Sequence, residues 1–294
     1  MNARADSTPP SVRRVEMRFT GSGRASLFRR AWIAPQPERA LALVHGFAEH
    51  SARYEHLGTW FARRGFAVHA YDQRGHGQSP GLRGHVDRFD EFLDDLAAFL
   101  DEVRRESPGI PCTLVGHSMG GLVVATFARE RNPDVAGVVL SGAVLKLPPG
   151  LSPGKIALAR LLRRAVPRLT TDAGIDPHAI SRDPEVVRRY VEDPLVFTRM
   201  TLSFAAEMLS AVERCSAGGA DVSVPVQLLH GADDLLCLPA GSRDFFETLD
   251  VPGSDLRIYP GLRHEIFNEP EQEQVFEDIL EWTLAREAEA VEAR

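Results

Sequence analysis

The sequence predicts an α/β fold built on a mostly parallel, doubly wound sheet with helices on both faces. Apolar runs of strand length alternate along the chain with helical stretches, and most of these runs are apolar throughout. Strands of that kind are buried on both faces, which is typical of parallel sheets. A chain of 294 residues with 44% hydrophobic residues can bury the core that such a fold needs.

The individual elements follow from local patterns. The first two strands alternate polar and apolar residues around a GSG turn, which predicts an antiparallel hairpin. The helix from residue 87 has apolar residues at spacings of three and four. The predicted elements, in order, are strands at 15–20, 26–34 and 39–46, a helix at 54–64, a strand at 66–71, a helix from 87, a strand at 112–115, a helix from 122, strands at 135–145 and 224–231, a helix at 239–249, a strand at 255–259 and a helix from 269.

Residues 146–222 interrupt this alternation and contain helical stretches rich in arginine and proline. An insertion between two strands at the functional edge of a parallel sheet is most simply a helical cap over the site. The predicted division is a core at 14–145 and 223–294 and a cap, or lid, at 146–222. Residues 1–13 are polar and contain proline, which predicts a disordered tail.

Composition excludes several classes of function. The net charge of −7 argues against nucleic acid as the main partner, because phosphate binding needs a dense basic surface. Three cysteines in a chain of this length indicate free thiols in a reducing compartment, and neither a signal peptide nor a membrane span is predicted. We therefore expect a soluble cytoplasmic protein of unknown oligomeric state. No residues have metal-ligand spacing and there is no phosphate-binding glycine loop, so neither metal nor cofactor is expected.

A nucleophile elbow is predicted at GHSMG, residues 116–120. The strand at 112–115 runs into this turn, and a helix-like pattern follows from Leu122. In a GxSxG turn the glycines leave room for a strained backbone that lifts the serine hydroxyl above the sheet edge. The following helix N-terminus stabilises negative charge beside it. Ser118 is therefore the candidate nucleophile, and the alternative is a structural turn serine.

A serine nucleophile needs an imidazole to accept its proton and a carboxylate to orient that imidazole. Of the ten histidines only His264 follows the last predicted strand, as the chain order serine, acid, histidine requires. The strand at 135–145 ends without a carboxylate, whereas the strand at 224–231 leads into Asp233 and Asp234. Only one of these two can face His264, because adjacent residues near a strand end point in different directions.

Two backbone N–H groups must also hold the oxyanion, one after the nucleophile and one in the loop after the third strand. These are the N–H groups of Met119 and Phe47. His45, His117 and His230 lie at apolar strand ends and are interpreted as packing or hydrogen-bonding residues rather than catalytic ones.

Six segments of the chain resemble the monoacylglycerol lipase and lysophospholipase group of α/β hydrolases. They are HGFAEHSARY, YDQRGHGQSPGLRGHV, GHSMGG, SRDPEVVRRYVEDPL, GADDLLC and YPGLRHEIFNE, and they span nearly the whole chain. The resemblance implies the α/β-hydrolase fold, with an eight-stranded sheet and an inserted helical cap. It also implies that Ser118 is the nucleophile, Asp234 the acid and His264 the base, with Phe47 and Met119 supplying the oxyanion N–H groups.

The resemblance further suggests residues near the alcohol part of the substrate, namely Glu49, Arg53 and Tyr190. The alternatives are an ion pair that fixes the loop for Glu49 and Arg53, and a core residue of the cap for Tyr190. Phe47 replaces a small residue that some relatives carry, which bears on the width of the pocket beside Ser118.

The expected function is hydrolysis of monoacylglycerols or similar single-chain lipid esters through an acyl-enzyme. The alternatives are a carboxylesterase or lysophospholipase with the same triad and, more remotely, a ligand-binding protein without turnover. A basic amphipathic pattern at 153–168 suits either a cap helix with its apolar face on the pocket or transient contact with an anionic membrane surface.

Overall fold

The computed structural model describes residues 11–147, 153–216 and 218–292, so most of the predicted tail at 1–13 lies outside the described residues. The strands are β1 (Arg13–Thr20), β2 (Ser26–Ile33), β3 (Arg39–Val44), β4 (Phe66–Tyr71), β5 (Cys112–His117), β6 (Gly137–Ser141), β7 (Thr170–Asp172), β8 (Arg199–Thr201), β9 (Val226–Gly231) and β10 (Asp255–Tyr259). The α-helices are α1 (Glu55–Ala62), α2 (Asp90–Glu106), α3 (Met119–Arg131), α4 (Pro153–Ala165), α5 (Pro184–Glu192), α6 (Leu202–Cys215), α7 (Pro239–Glu247) and α8 (Gln272–Glu292).

Eight strands form one sheet in the order β1-β2-β4-β3-β5-β6-β9-β10. The pairs β1/β2 and β2/β4 are antiparallel, and every other pair in this sheet is parallel. The predicted mostly parallel, eight-stranded sheet is therefore confirmed. Because β3, β5, β6, β9 and β10 run in the same direction, the loops that follow them meet at one edge.

Apolar side chains fill both faces of this sheet. On one face α2 and α3 bury residues such as Phe92, Leu96 and Leu122 without solvent exposure. On the other face α1 and α8 pack around Phe61 and Phe276. The strands β3, β4, β5, β6 and β9 are thus buried on both sides, which explains their continuous apolar runs.

The helix predicted from residue 87 begins at Asp90 instead. The backbone N–H of Phe89, just before it, donates to the Glu207 carboxylate at 2.6 Å. This acceptor lies on α6, more than a hundred residues away along the chain, so local periodicity could not predict where the helix starts. The contact satisfies an N–H group that an unassisted helix end would leave without a partner.

The described part of the insertion at 146–222 adds no strand to the main sheet. It contains α4, α5 and α6, together with the antiparallel pair β7 and β8, which the sequence analysis did not predict. Each of these strands has three residues, too few for an alternating pattern to be visible. The insertion contacts the core through the Thr201 N–H on the Gly84 carbonyl at 2.9 Å and the Glu265 N–H on the Ile180 carbonyl at 2.8 Å.

Candidate active site

Ser118 lies in the sharp turn between β5 and α3, as the GHSMG motif predicts. Its φ is +54°, a backbone conformation that residues other than glycine adopt only at a cost of about 1–3 kcal/mol. The helix α3 begins at the next residue, Met119. The neighbouring glycines permit this turn: a Cβ on Gly116 would lie 2.5 Å from the carbonyl oxygen of Gly120, so no side chain fits there.

Gly120→Ala should destabilise the protein by about 1–3 kcal/mol or more, because the added Cβ would lie 2.2 Å from the carbonyl oxygen of Val44 and 2.5 Å from that of His45. Backbone atoms at the end of β3 cannot move aside as a side chain could. Gly109→Asn is the matched control, since Gly109 has positive φ and open space around its Cβ position. Chemical denaturation measures both variants, and equal stabilities would contradict the prediction.

Asp234 and His264 meet at the carboxyl ends of the adjacent parallel strands β9 and β10. The Nδ1 atom of His264 lies 2.7 Å from the Oδ2 atom of Asp234, and both residues are buried. Asp233, the other candidate acid, is exposed to solvent. The structure therefore brings Asp234, and not Asp233, to the imidazole.

A glycine at the end of β6 leaves space for this pair. Gly142 has φ +51°, and a Cβ there would lie 3.3 Å from His264 Nδ1 and 3.5 Å from Asp234 Oδ2. In the sequence this strand end is notable only for its lack of a carboxylate. A side chain there would crowd His264, whose carbonyl oxygen lies 3.0 Å from the Cβ position, and would come into contact with Asp234.

The Asp234 carboxylate accepts four hydrogen bonds. Oδ1 accepts from the N–H groups of Leu236 and Cys237, each at 2.8 Å, and Oδ2 lies 3.0 Å from His230 Nε2 in addition to His264. Burial alone would raise the pKa of Asp234, but the charge of His264 and these donors lower it far below its ordinary value. Asp234 is therefore an anion at neutral pH.

The pKa of His264 is raised in turn. Burial alone would lower it, but the negative charge of Asp234 and the hydrogen bond between them outweigh this effect. His230 matches the prediction of a hydrogen-bonding residue: its Nδ1 atom lies 2.8 Å from Ser242 Oγ, while its Nε2 atom faces Asp234. Because Nδ1 of His264 faces Asp234, its other ring nitrogen, Nε2, is the one that could accept a proton.

The two candidate oxyanion donors flank Ser118. The loop after β3 approaches closely, since a Cβ on Gly46 would lie 3.1 Å from Ser118 Cβ. In the part of the chain that the structure describes, the N–H groups of Phe47 and Met119 donate to no protein acceptor. Both residues line the same cavity as Ser118. An oxyanion could therefore be held there by N–H groups that have no competing partner.

The residues predicted near the alcohol form a charged network beside this loop. The Glu49 carboxylate accepts from the Gly46 N–H at 2.6 Å, the Tyr54 hydroxyl at 2.6 Å and Arg53 at 2.8 Å. Arg53 also binds both carboxylate oxygens of Glu265, at 2.7 and 2.8 Å. Glu49 therefore fixes the loop that carries Phe47, a role that the sequence analysis named as the alternative.

Tyr190 stands over this network. The Arg53 guanidinium lies 4.9 Å from the centre of the Tyr190 ring, so an aromatic residue of the insertion contacts a cation of the core. Glu49 and Tyr190 line the cavity around Ser118, whereas Arg53 borders a separate outer cleft. Arg53 can thus act on a substrate in this cavity through Glu49 and Glu265.

The cavity has a volume of about 530 Å³ and lies between the carboxyl edge of the sheet and the insertion. Its wall is largely apolar away from the polar end at Glu49 and Glu265. The apolar lining from the insertion consists of Leu147, Ala173, Ile175, Ile180, Met200, Phe204, Ala205, Met208, Leu209 and Val212. A single acyl chain fits such a lining, which would exclude water from it.

Among the described residues, three potential metal ligands converge only at Asp234, Cys237 and His264, all buried. The Asp234 oxygen and the His264 nitrogen already share a hydrogen bond. Burial raises the pKa of the Cys237 thiol well above its ordinary value, which opposes formation of the thiolate that a metal needs. These residues do not fit a resident metal ion.

Known proteins share this architecture. The serine aminopeptidase, S33, family matches residues 35–271. The monoacylglycerol lipase of Mycolicibacterium smegmatis is 34% identical over 94% of this chain and 99% of its own, and the monoglyceride lipase of Homo sapiens is 36% identical over 90% of this chain and 88% of its own. The crystal structure of Paleococcus ferrophilus monoacylglycerol lipase superposes with a TM-score of 0.79 at 37% identity, covering 88% of this chain and 99% of that one. The chain therefore belongs to the serine aminopeptidase S33 family of α/β hydrolases and, within it, to the monoacylglycerol lipase group of carboxylic ester hydrolases.

Proposed function

We propose that this protein hydrolyses monoacylglycerols or similar single-chain lipid esters with Ser118, Asp234 and His264 as its catalytic triad. The observation that carries the proposal is the 2.7 Å hydrogen bond between Asp234 and His264 in a largely apolar cavity that Ser118 also lines. The relatives named above carry the activity in their names, which supports the same substrate class here.

The proposed reaction has two steps. His264 accepts the Ser118 proton as the hydroxyl oxygen attacks the ester carbonyl, and the N–H groups of Phe47 and Met119 hold the resulting oxyanion. His264 then protonates the leaving alcohol, which departs and leaves an acyl group on Ser118. A water molecule, activated by His264, attacks this acyl-enzyme and releases the fatty acid. Asp234 stays ionised and stabilises the imidazolium in both steps.

We place the acyl chain against the apolar lining and the alcohol at the polar end, near Glu49, Arg53 and Tyr190. Glu49 and Arg53 are occupied with each other and with neighbours, so they shape this end rather than offer free groups. The Tyr190 hydroxyl has no hydrogen-bond partner within the described residues. It is therefore the group of the three best placed to bind a glycerol hydroxyl.

Tyr190→Phe should raise KM for a monoacylglycerol about 2- to 10-fold, the value of one hydrogen bond, because the variant lacks only the hydroxyl. KM for 4-nitrophenyl butyrate should stay unchanged, since its alcohol carries no hydroxyl for Tyr190 to bind. Steady-state kinetics on both esters measure the difference. Equal changes with the two substrates would show that Tyr190 is only a packing residue.

A substrate panel tests the proposed function. Monoacylglycerols, lysophospholipids and nitrophenyl esters of graded chain length distinguish the proposed activity from a lysophospholipase and from a short-chain carboxylesterase. The proposal is supported if monoacylglycerols have the highest kcat/KM of the three classes. A higher kcat/KM for lysophospholipids or for short nitrophenyl esters would instead indicate a lysophospholipase or a carboxylesterase. A ligand-binding protein without turnover would fail to react quickly with a fluorophosphonate probe, because only an activated serine does so.

We further propose that residues 146–222 act as a cap and that one part of its outer surface, at residues 161–169, touches lipid. Leu161, Leu162, Val166 and Leu169 are 62%, 39%, 42% and 58% exposed, and none belongs to the described cavity lining. The side chains of Lys155, Leu158 and Arg160, which belong to the same predicted pattern, lie outside the described part. This exposure favours a lipid surface over the expectation that the apolar face covers the pocket. No described helix is long and apolar enough to span a bilayer.

Leu161→Ser combined with Leu169→Ser should weaken binding to vesicles containing phosphatidylglycerol about 10-fold or more, because two exposed apolar side chains can no longer enter the membrane interface. Co-sedimentation measures the bound fraction. Val191→Ser is the matched control, since Val191 is 63% exposed on a different helix, α5. Equal binding by all three proteins defeats the membrane proposal and leaves the hydrolase proposal untouched.

A further inference from the structure

The loop that carries Phe47 is held from the cap as well as from the core. We call residues 46–50 the oxyanion loop and residues 193–197 the clasp segment. The clasp segment contacts the oxyanion loop at two points: His50 Nε2 lies 2.9 Å from Asp193 Oδ2, and the Phe197 N–H donates to the Ala48 carbonyl at 3.3 Å. A stretch of five cap residues therefore lies alongside a stretch of five core residues.

The oxyanion loop contains a strained residue. Ala48 has φ +63° and is fully buried, although its side chain disfavours this left-handed conformation by about 1–2 kcal/mol relative to the ordinary one. Such a residue keeps its conformation only where its surroundings hold it. Glu49 holds the loop from the core by accepting the Gly46 N–H, and Phe197 holds it from the cap at the Ala48 carbonyl.

Aromatic contacts strengthen the hold from the cap. The Phe197 ring stands edge-on to the Phe47 ring with centroids 5.3 Å apart, and it lies 5.1 Å from the His76 ring. Phe204, which lies on the cap helix α6, has its ring centroid 4.8 Å from that of Phe47. Burial lowers the pKa of His76 to about 3, so its ring packs as a neutral aromatic. Of the three aromatic rings that contact Phe47 among the described residues, two therefore belong to the cap, and Phe47 lines the same cavity as Ser118.

We infer that Phe197 is a positioning residue for the oxyanion hole: the clasp segment keeps Ala48 in its strained conformation and thereby keeps the Phe47 N–H aimed at the oxyanion. The inference rests on the proposed function, in which that N–H stabilises the tetrahedral intermediate. It predicts that chemistry depends on cap contacts even for a substrate too short to touch the cap. Both half-reactions pass through an oxyanion, so kcat is affected whichever of them is slower.

Phe197→Ala keeps the backbone N–H that contacts Ala48 but loses the ring contacts with Phe47 and His76 that hold the clasp segment against the oxyanion loop. It should therefore lower kcat for 4-nitrophenyl butyrate about 10-fold, with KM changed less than about 2-fold. The effect is smaller than the about 10²- to 10³-fold cost of losing an oxyanion donor altogether, because the N–H is misplaced rather than removed. Val187→Ala is the matched control: Val187 is a buried cap residue of α5 that does not line the cavity. It should lower the thermal stability of the cap without changing kcat. Should Phe197→Ala not fold, Phe197→Leu is judged by the same kcat criterion.

The decisive variant is Ala48→Gly combined with Phe197→Ala. Glycine adopts positive φ as readily as negative φ, so the loop no longer needs the clasp to keep its shape. On a logarithmic scale, the kcat of the double variant should lie at most about half as far below that of Ala48→Gly as the kcat of Phe197→Ala lies below that of the unaltered protein. A double-mutant cycle measures this coupling. Recovery is not expected if Phe197 merely stabilises the cap. An unchanged kcat in Phe197→Ala, or a loss that Ala48→Gly does not relieve, overturns the inference.

Monoacylglycerol turnover by the unaltered protein, measured in parallel, separates this inference from the proposed function. If the unaltered protein turns over 4-nitrophenyl butyrate but no monoacylglycerol, the substrate proposal fails and the positioning role of Phe197 is still decided by the variants above.

Discussion

Replacing Ser118 with Ala is expected to lower kcat by at least about 10³-fold and to abolish labelling by a fluorophosphonate probe. Without the hydroxyl no acyl-enzyme can form, and the remaining N–H donors can only assist direct attack by water. The fold should persist, because Ala tolerates the φ of +54° at this position no worse than Ser does. Active-site titration and thermal unfolding measure the two effects separately.

The matched control is Ser216→Ala, which removes an exposed hydroxyl next to the end of α6 and outside the cavity. Ser216→Ala should react with the fluorophosphonate probe and turn over substrate as the unaltered protein does. Retention of more than about one tenth of the activity in Ser118→Ala would remove the acyl-enzyme mechanism, since the variant has no hydroxyl at residue 118 to carry the acyl group.

Chain order and strand pattern were sufficient to predict where the functional groups meet. The strands that alternate with helices place their following loops at one edge, and Ser118 and His264 each follow such a strand. That inference needs only the polarity of the strands, which the alternation with helices supplies. The choice between Asp233 and Asp234 needed more, because strand register alone does not show which side chain faces the imidazole. The resemblance favoured Asp234, and the structure shows Asp234 in contact with His264.

Contacts between distant segments were not predictable from the same patterns. The residue before α2 donates to Glu207, and the Ala48 carbonyl accepts from the Phe197 N–H, each partner lying more than a hundred residues away along the chain. The space that Gly142 leaves for the acid and the imidazole is likewise visible only once three strand ends are side by side. Local propensity carries no information on such contacts, because they are formed by packing rather than by periodicity.

Asp234→Asn is expected to change both the rate and its dependence on pH. The variant should lose about 10³- to 10⁴-fold in kcat, because an amide stabilises neither the imidazolium nor the tautomer that accepts the Ser118 proton. In the unaltered protein the negative charge of Asp234 raises the pKa of His264, and only neutral His264 can accept a proton. Its kcat/KM should therefore rise with pH around an apparent pKa above the ordinary histidine value of about 6.5.

The sign of the shift in the variant follows from the two opposing influences on His264. Burial lowers its pKa, and Asp234 raises it together with the smaller influences of Glu265 and Glu49, so removing the charge of Asp234 leaves burial opposed only by the weaker pair. The rising limb of kcat/KM in Asp234→Asn should therefore lie at lower pH than in the unaltered protein, at a much reduced plateau. Asp233→Asn is the matched control, because Asp233 carries the same charge one residue away but is exposed. If both variants shifted the limb equally, a general change in charge would explain the result and the specific pairing of Asp234 with His264 would not.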